Sequence, residues 1–239
     1  MGNEVDGVLS SNTAMQYPFA EFIVYAKAAV AKATSADMSV GVSYTWDGWK
    51  ALRGAKEPWL EIMNNVTDGI LLTWYPLQSN FSVMPPSTGA TYFSEMIATL
   101  PDEKCVIQQE LGYPSGFNNA SSTDGSSPAA QAAFYAAALS GAAGLEPAAK
   151  RKLRGVMPFD LSDWPAATCE YFAQYYKISS PAFVEYLCTL GITEADGTGK
   201  PALDVVEQGI CALTTPRIPP RGAHTRGSGS KAEPQSKTE

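Results

Sequence analysis

The sequence alternates between short apolar, β-branched runs and longer segments with helical spacing, and this alternation limits its fold more than any other feature. The runs that favour strands are 38–44, 69–75, 105–110 and 155–160. Apolar residues recur at helical spacing over 19–33, 90–100, 128–143 and 166–176. Because strands that alternate with helices usually pair in parallel, the sequence predicts an α/β fold.

A (β/α)8 barrel and an open doubly wound sheet share this alternation. The open sheet normally carries a glycine-rich phosphate turn after a strand. The nearest candidate, Asp196–Pro201, lacks the leading glycine and the Ser or Thr of a P-loop. This absence favours the barrel, which we expect over residues 1–214. From 215 to 239 the composition changes to Pro, Gly, Ser, Arg and Lys, which predicts a disordered tail.

Composition excludes several classes of chemistry. The single histidine, His224, lies in the tail, so Ser-His-Asp, Cys-His and histidine-ligated zinc sites are excluded from the folded part. The four cysteines form no C-x-x-C pair, and their scattered spacing favours buried apolar thiols over disulfides. We predict no cofactor and no metal, so acid–base chemistry must come from carboxylates, Lys or Tyr.

Net charge and hydropathy limit the kinds of partner that the chain can bind. The chain of 239 residues has a formal charge of -7, which argues against a nucleic acid. No apolar run reaches about 18 residues, so we expect no membrane span. The segment 1–4 is polar and does not resemble a signal peptide.

Carboxylates and aromatic residues gather at the predicted strand ends. Glu110 and Asp160 close strands, and Glu4 can close a strand that begins before this chain. Aromatic side chains near these ends are Trp46, Trp74, Tyr75, Tyr113 and Trp164. The apolar face of a sugar ring stacks on aromatic rings, and two carboxylates suffice for glycoside hydrolysis. The pattern indicates a carbohydrate-active site.

Five segments in consistent order, covering about residues 1–205, resemble the retaining glycoside hydrolases built on TIM barrels. They are Gly2–Asp6 with its Asn-Glu pair, Thr73–Pro76, Gln109–Ser115, Phe159–Trp164 and Leu190–Ala202. The Gln109–Ser115 segment is most similar to the nucleophile segment of endo-β-1,3-glucanases. The resemblance implies an incomplete (β/α)8 TIM barrel that runs from the end of strand 4 through helix 8.

The resemblance also implies roles. Glu4 would be the general acid/base and Glu110 the nucleophile, about 5–5.5 Å apart as in retaining enzymes. Asn3 would bind the 2-hydroxyl, Tyr75 would orient Glu110, and Trp164 would stack on the sugar. Substrate contacts are also expected from Trp46, Trp74 and Tyr113. The expected substrate is an oligo- or polysaccharide with β-linked sugars.

The chain departs from such enzymes because it begins where the fourth strand should end. We therefore expect the C-terminal part of a longer enzyme, with little activity alone and with open strand edges that permit self-association. Localisation stays open, and secretion would follow if a missing N-terminal part carried a signal peptide. The triplets at Asn65, Asn80 and Asn119 fit a secreted glycoprotein. Two alternatives remain, a catalytically dead carbohydrate-binding or interaction remnant and a transglycosylase.

Overall fold

One parallel sheet organises the chain. The computed structural model describes residues 3–34, 38–116, 125–178 and 180–214, so the predicted tail lies outside them. Within these ranges the strands are β1 (Gly41–Thr45), β2 (Gly69–Trp74), β3 (Cys105–Leu111) and β4 (Leu153–Pro158). They pair in parallel in the order β1-β2-β3-β4. The predicted α/β class is confirmed.

Helices connect each strand to the next. Their bounds are α1 Val5–Ser11, α2 Gln16–Ala33, α3 Trp46–Ala55, α4 Pro58–Val66, α5 Gly89–Thr99, α6 Pro128–Ala143, α7 Pro147–Lys152, α8 Ala166–Tyr176, α9 Pro181–Cys188 and α10 Pro201–Thr214. Two 3-10 turns occupy Thr13–Met15 and Pro86–Thr88. Parallel strands that lie side by side in chain order, each joined to the next through helices, are the arrangement of a (β/α)8 barrel.

Local capping explains two helix starts. The Ser127 hydroxyl accepts a hydrogen bond from the Ala130 amide at 3.0 Å, and Pro128 occupies the first turn of α6. The Thr45 hydroxyl accepts from the Gly48 amide at 2.9 Å. Residues 46–49, which have the sequence pattern of a turn, are therefore the first turn of α3.

The core lies between the sheet and the helices that cover it. Val42, Leu72 and Val106 from the strands are fully buried, and so are Phe93 of α5 and Phe134 of α6. Helix α6 packs between α5 and α10. This layer fixes the strand register and therefore the positions of the side chains at the strand ends.

The sheet does not close within the described part of the chain. Strand β1 pairs with β2 on one side, and carboxylates bind backbone amides at its two ends. The Val40 amide donates to Asp68 and the Thr45 amide donates to Asp6, each at 2.8 Å. The fold is thus an incomplete barrel, as expected.

A disulfide joins α8 to α9. Cys169 and Cys188 have Cα atoms 5.7 Å apart and their sulfurs are bonded. The sequence pattern favoured buried thiols for all four cysteines, which is wrong for this pair because the two helices pack side by side. Among the described residues no helix has both the length and the apolar character needed to cross a bilayer.

Candidate active site

A cleft of about 450 Å³ opens beside the carboxyl ends of β1 and β2. Its walls come from strand ends, from the loop after β2 and from α8 and α9. The lining residues are Glu4, Thr45, Trp46, Asp47, Thr73, Trp74, Tyr75, Leu77, Phe81, Tyr176, Phe183, Tyr186 and Leu187. Functional sites of parallel α/β folds lie at this end of the strands.

Glu4 stands immediately before α1 and projects toward β2. Its Oε1 accepts a hydrogen bond from the Thr73 hydroxyl at 2.7 Å. Burial raises the pKa of Glu4, and the charges of Glu110 and Asp6 raise it further. The Thr73 hydrogen bond opposes these effects because it stabilises the carboxylate. Glu4 is therefore a carboxyl group that retains its proton to a higher pH than an exposed glutamate.

Glu110 lies near the end of β3, and its neighbour Tyr75 follows β2. The Tyr75 hydroxyl donates to Glu110 Oε2 at 2.6 Å. Burial, followed by the nearby Tyr186 and Glu110, raises the pKa of Tyr75, so the phenol stays protonated and can donate. This contact holds one oxygen of the carboxylate in a fixed direction.

A register shift brings the two carboxylates together. Leu72 of β2 pairs with Gln108 of β3, but the next residue, Thr73, pairs with Glu110, so one residue of β3 is skipped. Such a bulge redirects a side chain. Because Thr73 binds Glu4 and faces Glu110 on a strand about 4.8 Å away, the two glutamates are neighbours.

Asp6 fixes the approach of α1 to β1 and thereby places Glu4. Its two oxygens accept from the amide and the hydroxyl of Thr45, at 2.8 and 2.7 Å. A Cβ added to Gly48 would lie 1.9 Å from Asp6 Oδ2, so this close approach requires glycine. Asp6 is hence a positioning group whose oxygens are already bound.

Several aromatic residues that we predicted to contact substrate line the cleft. Trp46 and Trp74 are among them and are buried, and the Trp74 ring stacks on Tyr92 with 3.8 Å between ring centroids. The Tyr186 ring meets Tyr75 edge-on at 5.5 Å. These contacts fix the rings of the cleft lining, which includes Glu4, while Glu110 is linked to the lining through its hydrogen bond with Tyr75.

The structure places three of the predicted substrate-binding residues elsewhere. Tyr113 is fully buried, stacks on Phe134 and donates its hydroxyl to the Met84 carbonyl at 2.8 Å. Its ring belongs to the core and lies outside the cleft lining. Trp164 is half-buried and donates to Asp160 at 2.8 Å, outside the cleft lining. Asn3 is exposed and also lies outside the lining.

Other residues of the cleft were not predicted from the sequence. Thr73 lies inside a strand, and only the register shift aligns it with Glu110. Phe81 lies in the loop after β2, and Phe183 and Tyr186 lie on α9, a helix of eight residues. The run of aromatic residues from 171 to 186 is the sequence signal that would have found this wall.

The described residues contain no group of three or more His, Cys, Asp or Glu side chains placed to hold a metal ion. Two of the predicted glycosylation positions, Asn65 and Asn80, are exposed, and Asn119 lies outside the described residues. Glycosylation stays a prediction.

Comparisons with known proteins bear on the fold. No protein-family model matches the sequence, and no curated protein matches it. Among solved structures, the chain is similar to a glycoside hydrolase family 17 β-1,3-glucanosyltransferase from Rhizomucor miehei, with 15% identity and a TM-score of 0.52. The match covers 84% of this chain and 61% of that one. A β-glucuronidase from Bifidobacterium dentium, complexed with coumarin-3-O-glucuronide, matches with 15% identity and a TM-score of 0.47, over 72% of this chain and 24% of that one. The first of these two matches shows that the chain has the fold of part of a TIM barrel. The chain spans less than two thirds of the length of both proteins.

Proposed function

We propose that this chain carries the catalytic carboxylates of a retaining glycoside hydrolase that cuts β-linked O-glycosidic bonds. The observation that supports this most is the closeness of Glu4 and Glu110, because Thr73 donates to Glu4 and pairs with Glu110 in the sheet. Each glutamate accepts a hydrogen bond from a hydroxyl group, of Thr73 and of Tyr75 respectively. Two carboxylates at the carboxyl end of a parallel barrel are the minimum apparatus for this reaction. The proposed catalytic domain covers residues 1–214.

The proposed reaction has two steps. Glu110 attacks the anomeric carbon, the glycosidic C–O bond breaks, and Glu4 gives its proton to the leaving oxygen. Glu4 then removes a proton from water, whose oxygen attacks the anomeric carbon and releases Glu110. Two inversions give net retention, which requires carboxyl groups about 5–5.5 Å apart.

The environment of each glutamate suits its role. The raised pKa of Glu4 favours the protonated form that the first step needs. Tyr75 binds Oε2 of Glu110, which leaves Oε1 for attack. The cleft between Trp46, Tyr75 and Tyr186 supplies aromatic edges for a sugar ring.

The first test measures turnover of aryl β-glycosides by the full chain, with the anomer of the product followed by NMR. Glu110→Gln is expected to lower kcat by about 10³-fold or more, since it removes the nucleophile. Glu4→Gln is expected to lower it by about 10² to 10⁴-fold for natural leaving groups. Glu95→Gln, which changes an exposed carboxylate on α5, is the matched control and should keep the wild-type rate.

A second test works even if turnover is slow. A 2-deoxy-2-fluoro β-glycoside with a good leaving group should label Glu110 covalently, and mass spectrometry of the peptide would locate the label. Labelling at another residue, or no label and no turnover, would contradict the proposal. Binding of oligosaccharides without any label would instead support a catalytically dead carbohydrate-binding protein, and sugar transfer to an added acceptor would indicate a transglycosylase.

A further inference from the structure

Helices α8 and α9 form an added pair on the barrel. In a (β/α)8 barrel one helix follows each strand and packs on the outside of the sheet. After β4 this helix is α10, which packs against α6. The pair therefore stands between β4 and α10 as an insertion after a strand end. The disulfide between Cys169 and Cys188 ties the first half of α8 to the last residue of α9. We call this segment, residues 166–188, the stapled hairpin.

One side of the stapled hairpin forms a wall of the cleft. Tyr176, Phe183 and Tyr186 contribute to the lining. Tyr186 meets Tyr75, the residue that binds Glu110, and its pKa is raised by burial and by the charges of Glu4 and Glu110. The hairpin therefore reaches the proposed catalytic pair directly.

The other side of the hairpin exposes tyrosine rings. Tyr171, Tyr175 and Tyr176 are 60%, 65% and 54% exposed. Residues 171 and 175 are one turn apart on the same helix face, and their rings stack with centroids 6.4 Å apart. Tyr176 packs against Tyr175 at 5.1 Å and also lines the cleft. An aromatic row therefore runs without a break from the cleft to the outer face of α8.

The chemistry of this row favours a neutral sugar chain. Tyrosine presents a flat apolar ring with a hydroxyl at its edge, and few torsions are restricted when it binds. Pyranose rings offer C–H faces to stack on such rings and hydroxyl groups to bind the phenol. Continuity with the cleft through Tyr176 indicates that the occupant of the outer face is the same molecule as the occupant of the cleft.

We propose that the exposed tyrosines of the stapled hairpin bind sugar units of a β-linked polysaccharide beyond the bond that is cut, so that long chains are preferred over short ones. The kinetic test of this inference rests on the proposed function, because it requires turnover. The binding surface itself does not include the carboxylates.

The test compares two double variants. Tyr171→Ala with Tyr175→Ala removes the outer rings, whereas Tyr17→Ala with Tyr25→Ala removes two tyrosines of α2 that are 65% and 74% exposed. For each, kcat/KM is measured on a soluble β-glucan and on an aryl β-glycoside, which reaches only the cleft. The kcat/KM for the β-glucan divided by the kcat/KM for the aryl β-glycoside should fall about tenfold in the first variant and stay constant in the second. An unchanged ratio in the first variant, or an equal fall in the second, would overturn the proposal.

A binding measurement separates this inference from the proposed function. Retardation of the full chain in native gels that contain the β-glucan requires no turnover. If the wild type is retarded and the Tyr171→Ala, Tyr175→Ala variant is not, the surface binds polysaccharide even if the chain does not hydrolyse it. The proposed binding surface would be refuted if the wild type and the variant were retarded equally. It would also be refuted if no neutral β-glycan retarded the wild type. Circular dichroism and equal melting temperatures verify that the variants are folded.

Discussion

Thr73 donates its hydroxyl to Glu4 and so lowers a carboxyl pKa that burial and the charges of Glu110 and Asp6 raise. Thr73→Val keeps the shape and removes this donor, so the pKa of Glu4 should rise further. Because the acid must be protonated, the alkaline limb of kcat/KM against pH is expected to move to higher pH. Thr73→Ser keeps the hydroxyl and should leave the limb in place. A shift to lower pH in Thr73→Val would contradict the assignment of Glu4 as the acid.

Tyr75 is expected to matter because it orients Glu110, the proposed nucleophile. Tyr75→Phe removes a hydrogen bond to a charged oxygen, a contact worth about 1.5–3 kcal/mol, so kcat should fall by about 10- to 100-fold. The ring and its edge contact with Tyr186 remain, so KM should change little. Steady-state kinetics on one aryl glycoside checks this, with Tyr17→Phe as the control. A change confined to KM would mean that Tyr75 binds sugar instead.

The site residues that could be predicted from the sequence alone are those that lie directly at or after the end of an apolar strand run. Glu110 closes a strand and Tyr75 follows one, and the structure places them in contact. Thr73 could not be predicted, because its alignment with Glu110 depends on a register shift between two strands far apart in sequence. Tyr113 shows the converse, since a position next to a strand end does not say whether a ring faces the cleft or the core.

At the level of elements, the disulfide should contribute most of the stability of the stapled hairpin. A double Cys169→Ala, Cys188→Ala variant is expected to lose about 3 kcal/mol of unfolding free energy, because the bond closes a loop between positions 19 apart in the unfolded chain. Hydrogen exchange of 166–188 would measure the loss locally. Cys105→Ser, which changes a half-buried cysteine outside this bond, is the control. Protection factors that do not change in the double variant would refute the expectation.

Helices differ in how far sequence could define them. The predicted helices over 128–143 and 166–176 agree with α6 and α8 because a long apolar pattern or a Ser-Pro start marks them. Residues Trp46–Trp49 have the sequence pattern of a turn, but they begin α3 because Thr45 caps the helix and binds Asp6. Helix α9 has eight residues, too few for periodicity to be visible.

For the molecule as a whole, Lys200 is the residue that ties separate segments together. Its ammonium lies 2.6 Å from Asp163, 2.9 Å from the Ser115 hydroxyl and 3.0 Å from the Gly191 carbonyl. Its side chain is 2% exposed and that of Asp163 10%. Burial raises the pKa of Asp163, while Lys200 and the Gly191 amide lower it. The Lys200 ammonium group thus links the start of α10 to the loop after β3 and the loop after β4.

Lys200→Met should lower the free energy of unfolding by about 3–5 kcal/mol, because it leaves a buried carboxylate without its cation. The pKa of Asp163 in the folded variant then rises well above its unfolded value. The folded variant binds a proton more readily, so its stability is greatest at low pH and falls as pH rises through that pKa. Urea unfolding across pH would reveal this. Lys152→Met, which breaks an ion pair whose carboxylate, Asp102, is fully exposed, should have little effect at any pH. A deficit that does not depend on pH would contradict the explanation.

Self-association through the sheet edges is the prediction that concerns the molecule in solution. Strands β1 and β4 are the outer strands of the described sheet, and parallel edges invite pairing with another chain. Sedimentation velocity over a range of concentrations is expected to show species larger than 25.5 kDa that increase with concentration. A single species of monomer mass at all concentrations would refute it.

The stapled hairpin has a consequence for how such a protein changes over generations. Its cysteines, its cleft wall and its exposed tyrosines lie within one continuous stretch of the chain, between β4 and α10. A gene segment of this kind can be lost, lengthened or exchanged in one event while strand register and both glutamates stay intact, since they are encoded elsewhere. Under the proposed function, preference for the length of the substrate would therefore evolve separately from the chemistry of bond cleavage.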